Sequence, residues 1–74
     1  FMTRAQRMYD ALTVALTPDS LSVSNESHRH QVPKHAETHF KIVAVSGCFV
    51  GLSRVERHRH VNTILQSEFA TGLH

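Results

Sequence analysis

An α+β fold is predicted, with the element order helix, strand, strand, helix. Two observations predict the elements. Apolar residues recur at three- and four-residue steps in two stretches, Ala5 to Leu16 and Val61 to Phe69, the signature of helices with one buried face. Between them lie two period-two alternations, Leu21-Ser22-Val23-Ser24 and a longer one over residues 38–46, the signature of strands. A third observation sets the scale: 74 residues make one domain with a small core.

The first helix spans residues 3–16. Thr3 and Gln6 fit a capping box, and Ala5, Met8, Tyr9, Leu12, Ala15 and Leu16 form its apolar stripe. Pro18 disfavours helical geometry at Thr17 and ends it. Residues 21–24 then form a half-buried strand. Residues 25–37 are polar, hold Pro33 and three histidines, and form a loop long enough to carry function. Residues 38–46 are the stronger strand. Phe40, Ile42 and Ala44 share one face, and Lys41, Val43 and Val45 the other; apolar residues on both faces suggest a central strand. Gly47 breaks it. Ser53 and Glu56 form a second capping box, opening a helical stretch from about Arg54 to Phe69, with a break allowed near Arg57. Val61, Ile64, Leu65 and Phe69 are its expected buried stripe; Arg57, Arg59 and Gln66 face water. Gly72 fits a helix C′ position, and Leu73-His74 opens a third strand. A right-handed crossover places that strand beside residues 38–46 and parallel to them, giving a three-stranded mixed sheet with helices on one side.

Composition narrows the function. One cysteine excludes an intramolecular disulfide framework, no run approaches 18 apolar residues, and no apolar region follows Phe1-Met2 as a signal peptide requires. A net charge of +2 is too small to declare a nucleic-acid binder. Seven histidines are the unusual feature, because imidazole is the commonest protein metal ligand.

Topology gives those histidines a meeting point. In parallel neighbours the strand starts share one sheet edge. The loop bearing His28, His30 and His35 feeds into His39 at the start of the central strand, and His74 stands at the start of the third. His30 and His74 therefore converge although 44 positions apart. The plainer reading is a solvated His-x-His loop, with His39 a surface or partly buried structural residue. His58 and His60 are two apart on a helix, point about 200° apart, and cannot chelate one ion together; His58 is read as packing or capping and His60 as exposed. Tetrahedral zinc asks for four local ligands, and no cysteine pair accompanies His30 and His35. An iron–sulfur cluster needs four ligands and prefers thiolates, so a partner has to supply them. Cys48 lies at the far end of the central strand and reads as a small buried hydrophobe.

Several short motifs stand in a specific order: Asn25-Glu26-Ser27, His30-x-Val32-Pro33, Glu37-Thr38-His39-Phe40-Lys41, Phe49-x-Gly51-Leu52-Ser53, Arg57-His58-Arg59, and a histidine six positions after Glu68. Together they resemble the BolA family, over nearly the whole chain from the first helix on. The resemblance implies a KH-like α-β-β-α-α-β-α domain, of which residues 1–74 would be a single domain lacking its C-terminal strand and helix. It implies a non-enzymatic partner of monothiol glutaredoxins in iron–sulfur cluster assembly, trafficking or iron regulation. The shared [2Fe–2S] cluster would be held by a glutaredoxin thiolate, a glutathione thiolate, and two residues of this chain matching the family positions, His30 and His74. Lys34 and His35 depart from the Gly-Ser-like residues common in that loop, and His28, His35 or His39 could compete as ligand. In isolation the chain would carry no cofactor and be a monomer or weak homodimer. The compartment would be cytoplasmic or mitochondrial, with no membrane association.

A second function class is a nucleic-acid-binding transcriptional regulator. Residues 49–65 resemble a helix–turn–helix with Gly51 near the turn, and Arg54, Arg57 and Arg59 are available for phosphates. The KH-type GXXG clamp is absent, since the local sequence is Gly51-Leu52-Ser53-Arg54. An enzyme is the least supported class: Ser53, Glu56 and His58 invite a triad reading, but Ser53 is better explained as a helix cap.

Overall fold

The computed structural model describes residues 2–27 and 36–73. Thr3 caps the first helix, α1 (Arg4–Leu16), as its sequence requires: the Thr3 hydroxyl accepts from the Gln6 amide, and the Gln6 side chain accepts from the Thr3 amide. Met8, Leu12 and Leu16, one turn apart, are fully buried. The buried stripe is narrower than the sequence suggests, because Tyr9 is 45% exposed and Ala15 is exposed. Only the i, i+4 row of α1 is fully buried. The helix ends at Thr17 in a left-handed conformation, φ 40° and ψ 57°.

The strands β1 (Ser20–Asn25) and β2 (Phe40–Val45) pair antiparallel, with Asn25 opposite Phe40 and Ser20 opposite Val45. Leu21 and Val23 of β1 and Phe40, Ile42 and Ala44 of β2 pack against a core of Met8, Leu12 and Leu16 together with Leu65 and Leu73. The other face of the sheet is open, leaving Val43 and Val45 49% and 56% exposed. Both faces of β2 are apolar, yet helices cover only one; the outward valines reflect the fit of β-branched side chains to a pleated strand. Among the described residues the sheet has two strands, and β2 bonds to β1 alone. The sequence places the opening of a third strand at Leu73; Leu73 itself is in no strand, and His74 falls outside the described residues.

The far end of β2 is closed by a short 3₁₀ turn, Gly47–Phe49, whose N-cap is Ser46. Ser46 Oγ donates to the Leu16 carbonyl at 2.7 Å and accepts from the Cys48 amide, so one buried hydroxyl serves two helix ends. Cys48 is exposed, not buried as its apolar neighbours suggest; its Sγ lies 3.4 Å from the same Leu16 carbonyl. Position in the one-turn helix, rather than local hydropathy, sets its exposure.

The second capping box forms as read. Ser53 and Glu56 bond reciprocally at the start of α2 (Arg54–Ile64). The helix does not break near Arg57. It breaks at Leu65, φ −95° and ψ 14°, after which α3 (Gln66–Ala70) begins. Two causes act there. Leu65 is 2% exposed and turns into the core, and the Thr63 hydroxyl donates to the Arg59 carbonyl, a back-bond that bends helices. Val61 and Ile64 are half-buried beside Leu65, whereas Phe69 is 41% exposed. Gly72, φ 117°, comes after α3, and the Leu73 amide reaches back to the Glu68 carbonyl at 3.0 Å. Leu73 itself is buried.

Candidate functional site: the loop neck and the end of the third helix

The returning strand β1 brings Asn25 back toward the helix start, and the register sets Phe40 beside it. Thus the two described ends of the segment joining β1 to β2, residues 26–27 and 36–39, lie with the N-terminus of α1 and the C-terminus of α3 at one end of the molecule. His30, His28, His35 and His74 fall outside the described residues, so the site is built from the segments on either side of them.

The neck of the loop is closed by Asn25 and Ser27. Asn25 Oδ1 accepts from the Ser27 amide at 2.9 Å, an Asx turn, while Asn25 Nδ2 donates to the Ala36 carbonyl at 2.9 Å. Ser27 is 3% exposed, and its Oγ accepts from the amides of Thr38 and His39, both at 3.0 Å. The Glu26 amide donates to the His39 carbonyl at 2.7 Å. The two sides of the loop are therefore joined by backbone and side chain before the histidine segment begins. His39 is half-buried, with Nδ1 2.9 Å from Thr38 Oγ1, in keeping with its structural reading.

Arg4 joins this neck to the end of α3. Its backbone N–H, in the first turn of α1, donates to Glu37 Oε2 at 2.9 Å, which sets a carboxylate at a helix N-terminus. Its guanidinium caps the other helix. NH1 donates to the Glu68 carbonyl at 2.9 Å, to Glu68 Oε1 at 3.1 Å and to Thr71 Oγ1 at 3.1 Å, and NH2 donates to the Thr71 carbonyl at 2.9 Å. A cation thus meets the carbonyl end of α3. Arg4 Nε is buried with no hydrogen-bond partner. Arg7 completes the cluster, Nε donating to Glu68 Oε2 at 3.1 Å and NH2 to Oε1 at 3.0 Å. Glu68 is 9% exposed. Its carboxyl is held below the usual carboxylate range by the Arg7 hydrogen bonds first, against the opposing effect of burial, with the charges of Arg7 and Arg4 adding to the shift. Reciprocally, Glu68 holds the Arg7 guanidinium above its ordinary value.

Sequence reading missed Arg4, Glu37 and Glu68 as a unit, because the contacts of Arg4 with the two carboxylates span 33 and 64 positions and obey no periodicity. Asn25 and Ser27 carried a signal, since Asn and Ser before a long loop mark side-chain-closed turns.

The basic residues of α2 form a separate feature. Arg54, Arg57 and Arg59 are all exposed. Arg54 and Arg57, one turn apart, line with His58 an open groove of about 590 Å³. Its floor includes Phe40, Ile42, Phe49, Leu65 and Leu73. Arg59 does not line this groove, because two residues of helix turn it about 200° from Arg57. His58 is exposed rather than packed, and His60 is exposed. The helix–turn–helix likeness of residues 49–65 is not borne out: the element before the Gly51 turn is one three-residue 3₁₀ turn, too short to be a first helix. Among the described residues no cluster of three or more His, Cys, Asp or Glu could hold a metal ion, and no helix is long and apolar enough to cross a membrane.

Against known protein families, residues 12–74 match the BolA-like protein model. The chain belongs to the BolA family. A putative bolA-like protein of Caenorhabditis elegans is 47% identical over 70 residues, 95% of this chain and 65% of that protein. The UV-induced protein of Schizosaccharomyces pombe is 42% identical over 80 residues, covering 99% of this chain and 78% of that one. The DNA-binding transcriptional regulator BolA of Escherichia coli is 41% identical, covering 93% and 66% respectively. This BolA-family chain thus spans just under two thirds of the length of the nematode relative. Among solved structures, the BolA domain of SufE1 from Arabidopsis thaliana superposes with a TM-score of 0.91 at 38% identity, over all of this chain and 85% of that one. BolA1 from Arabidopsis thaliana gives 0.89 at 38% identity, with the same two coverages. The relatives bear the names of BolA-like proteins and transcriptional regulators, not of enzymes.

Proposed function

We propose that this BolA-family chain is a non-enzymatic partner of a monothiol glutaredoxin in iron–sulfur cluster assembly, trafficking or iron regulation. The carrying observation is the double attachment at Arg4: the exit of the histidine loop and the end of α3 are bonded to the same residue. His30 stands three residues after Ser27, whose hydroxyl holds the Thr38 and His39 amides next to Glu37, and His74 three after Thr71, a covalent reach of about 11 Å at most from Ser27 and from Thr71. Two imidazoles on short tethers from one corner fit a donor set that a partner's thiolates complete. His30 and His74 would be this chain's ligands to a [2Fe–2S] cluster, and the glutaredoxin cysteine and its bound glutathione would supply the thiolates. Bound there, the cluster supplies one-electron and cargo chemistry, and this chain supplies neutral nitrogen ligands, which make binding sensitive to protonation. In this reading a third strand follows Leu73, runs parallel to β2 as in a KH-like sheet, and fills the groove beside it. The cytoplasm or the mitochondrion is the proposed compartment.

The test is reconstitution. The protein, a monothiol glutaredoxin and glutathione should give a heterodimer with cluster absorbance, and His30→Ala and His74→Ala should each alter the spectrum or shorten its lifetime. A spectrum unchanged in both variants removes the ligand assignment.

A nucleic-acid-binding role is the second reading. Its support is the pair Arg54 and Arg57 beside His58 along one groove rim, together with relatives named as DNA-binding transcriptional regulators. If phosphates are contacted there, duplex affinity should fall steeply with salt, and Arg54→Ala and Arg57→Ala should each lower the log–log salt slope by about one. No binding at low salt dismisses it.

A further inference from the structure

We infer that His58 is a proton-gated phosphate contact: with its ring protonated it joins Arg54 and Arg57 as a third cation on one face of α2. The inference rests on the nucleic-acid reading, and adds the residue that makes binding there depend on pH.

Helix geometry sets the face. Arg54 precedes Arg57 by three residues and His58 by four, so it neighbours both on the helix surface. All three side chains are exposed, and all three line the same groove. No residue of α2 is buried, so core packing does not account for them. Their charge is uncompensated. Among the described residues the ion pairs join Arg4 and Arg7 to Glu68, and none involves Arg54, Arg57 or His58. The one carboxylate of α2, Glu56, stands two residues before His58, about 200° around the helix, and accepts from the Ser53 amide. Everything described that reaches the groove from outside α2, including Met8, Phe40, Phe49 and Phe69, is apolar. The charged groups facing His58 are therefore Arg54 and Arg57, and the remaining polar lining residue is Asn62 of the same helix. A phosphodiester seated on the two guanidiniums brings negative charge beside the imidazole and favours its protonated form. By linkage, acid that protonates His58 tightens the phosphate contact. His60 is the internal comparison: it is exposed on the same helix, turned about 200° from His58, and does not line the groove.

The experiment measures fluorescence anisotropy of a short mixed-sequence DNA duplex with the whole chain, at about pH 8 and about pH 5.5, over a series of salt concentrations. The acid condition spares the fold, because the Glu68 carboxyl is held below the usual carboxylate range and keeps its charge there. The native chain should bind about 3- to 10-fold more tightly in acid at moderate salt, and its log–log salt slope should steepen by about one. His58→Gln should lose this gain and bind at the higher pH as the native chain does. His58→Arg, with a permanent charge, should show the native acid slope at both pH values. His60→Gln should keep the native gain. A gain that survives in His58→Gln, or a native chain whose affinity ignores pH, overturns the inference and leaves the nucleic-acid reading standing. No duplex binding at low salt at either pH removes that reading, and the role of His58 falls with it.

Discussion

Removing the Glu68 carboxylate should cost this domain a large share of its stability, by an amount that depends on pH in a defined direction. In Glu68→Ala three side-chain hydrogen bonds disappear, one from Arg4 and two from Arg7. The two arginines respond differently to the loss. The Arg7 side chain is 45% exposed and regains water. The Arg4 side chain is 12% exposed and regains little, so a largely buried cation loses its counter-charge. A charged hydrogen bond lost in such a place is worth about 1.5–3 kcal/mol, and the loss leaves Arg4 incompletely satisfied, so about 2–3 kcal/mol is expected. A domain of this size holds only about 4–11 kcal/mol in total. The melting temperature should fall by about 10 °C or more. Glu68→Gln keeps an acceptor oxygen and should cost about half as much. The pH dependence has a sign. A carboxyl with a depressed folded pKa stabilises the fold above its unfolded value, about 4.3, and loses that contribution as pH falls through the folded value. The gap between the native chain and Glu68→Gln should therefore be full at pH 6–7 and shrink in acid below about pH 4. Urea midpoints across pH 3 to 7, with unchanged m-values, measure it. A gap that is absent at pH 7, or that widens toward acid, refutes the reasoning.

Three other outcomes are expected from the same geometry. Ser27→Ala strands the amides of Thr38 and His39, so it should cost about 1–3 kcal/mol and speed hydrogen exchange at those two amides first. Thr17→Gly relieves a β-branched residue at φ 40°, and should raise the melting temperature by several degrees, about 1 kcal/mol. Leu12→Ala, at a position with no exposed surface, should cost about 3 kcal/mol or more and leave the chain close to its unfolding threshold in calorimetry at 25–40 °C.

Local chemistry was legible in the sequence where it acts over three or four residues. Both capping boxes form as Thr3-x-x-Gln6 and Ser53-x-x-Glu56 demand, and β1 and β2 alternate as their patterns require. What the pattern could not supply was which apolar residue meets a neighbour. Tyr9, Val43, Val45 and Phe69 keep to the period yet stay substantially exposed; for the two valines the reason is that helices pack on one face of the sheet only. The break at Leu65 escaped reading because it depends on burial and on a Thr63 back-bond, neither of which alters the helical period. Cys48 was misplaced for the same reason: its exposure comes from the Ser46-capped turn, not from its neighbours' hydropathy. The site shows the limit most plainly. Sequence order suggested that the histidine loop and the end of the chain share one corner. The residue bonded to both flanking segments, Arg4, belongs to neither and carries no motif.

The central claim concerns nitrogen ligands, and magnetic resonance reads them directly. The chain is labelled with ¹⁵N-histidine, paired with an unlabelled glutaredoxin and glutathione, and the cluster is reduced. Pulsed electron paramagnetic resonance should then show couplings from two ¹⁵N imidazoles, one of which disappears in His30→Ala and the other in His74→Ala. A reduced cluster without ¹⁵N coupling, or with couplings that survive both substitutions, contradicts the account.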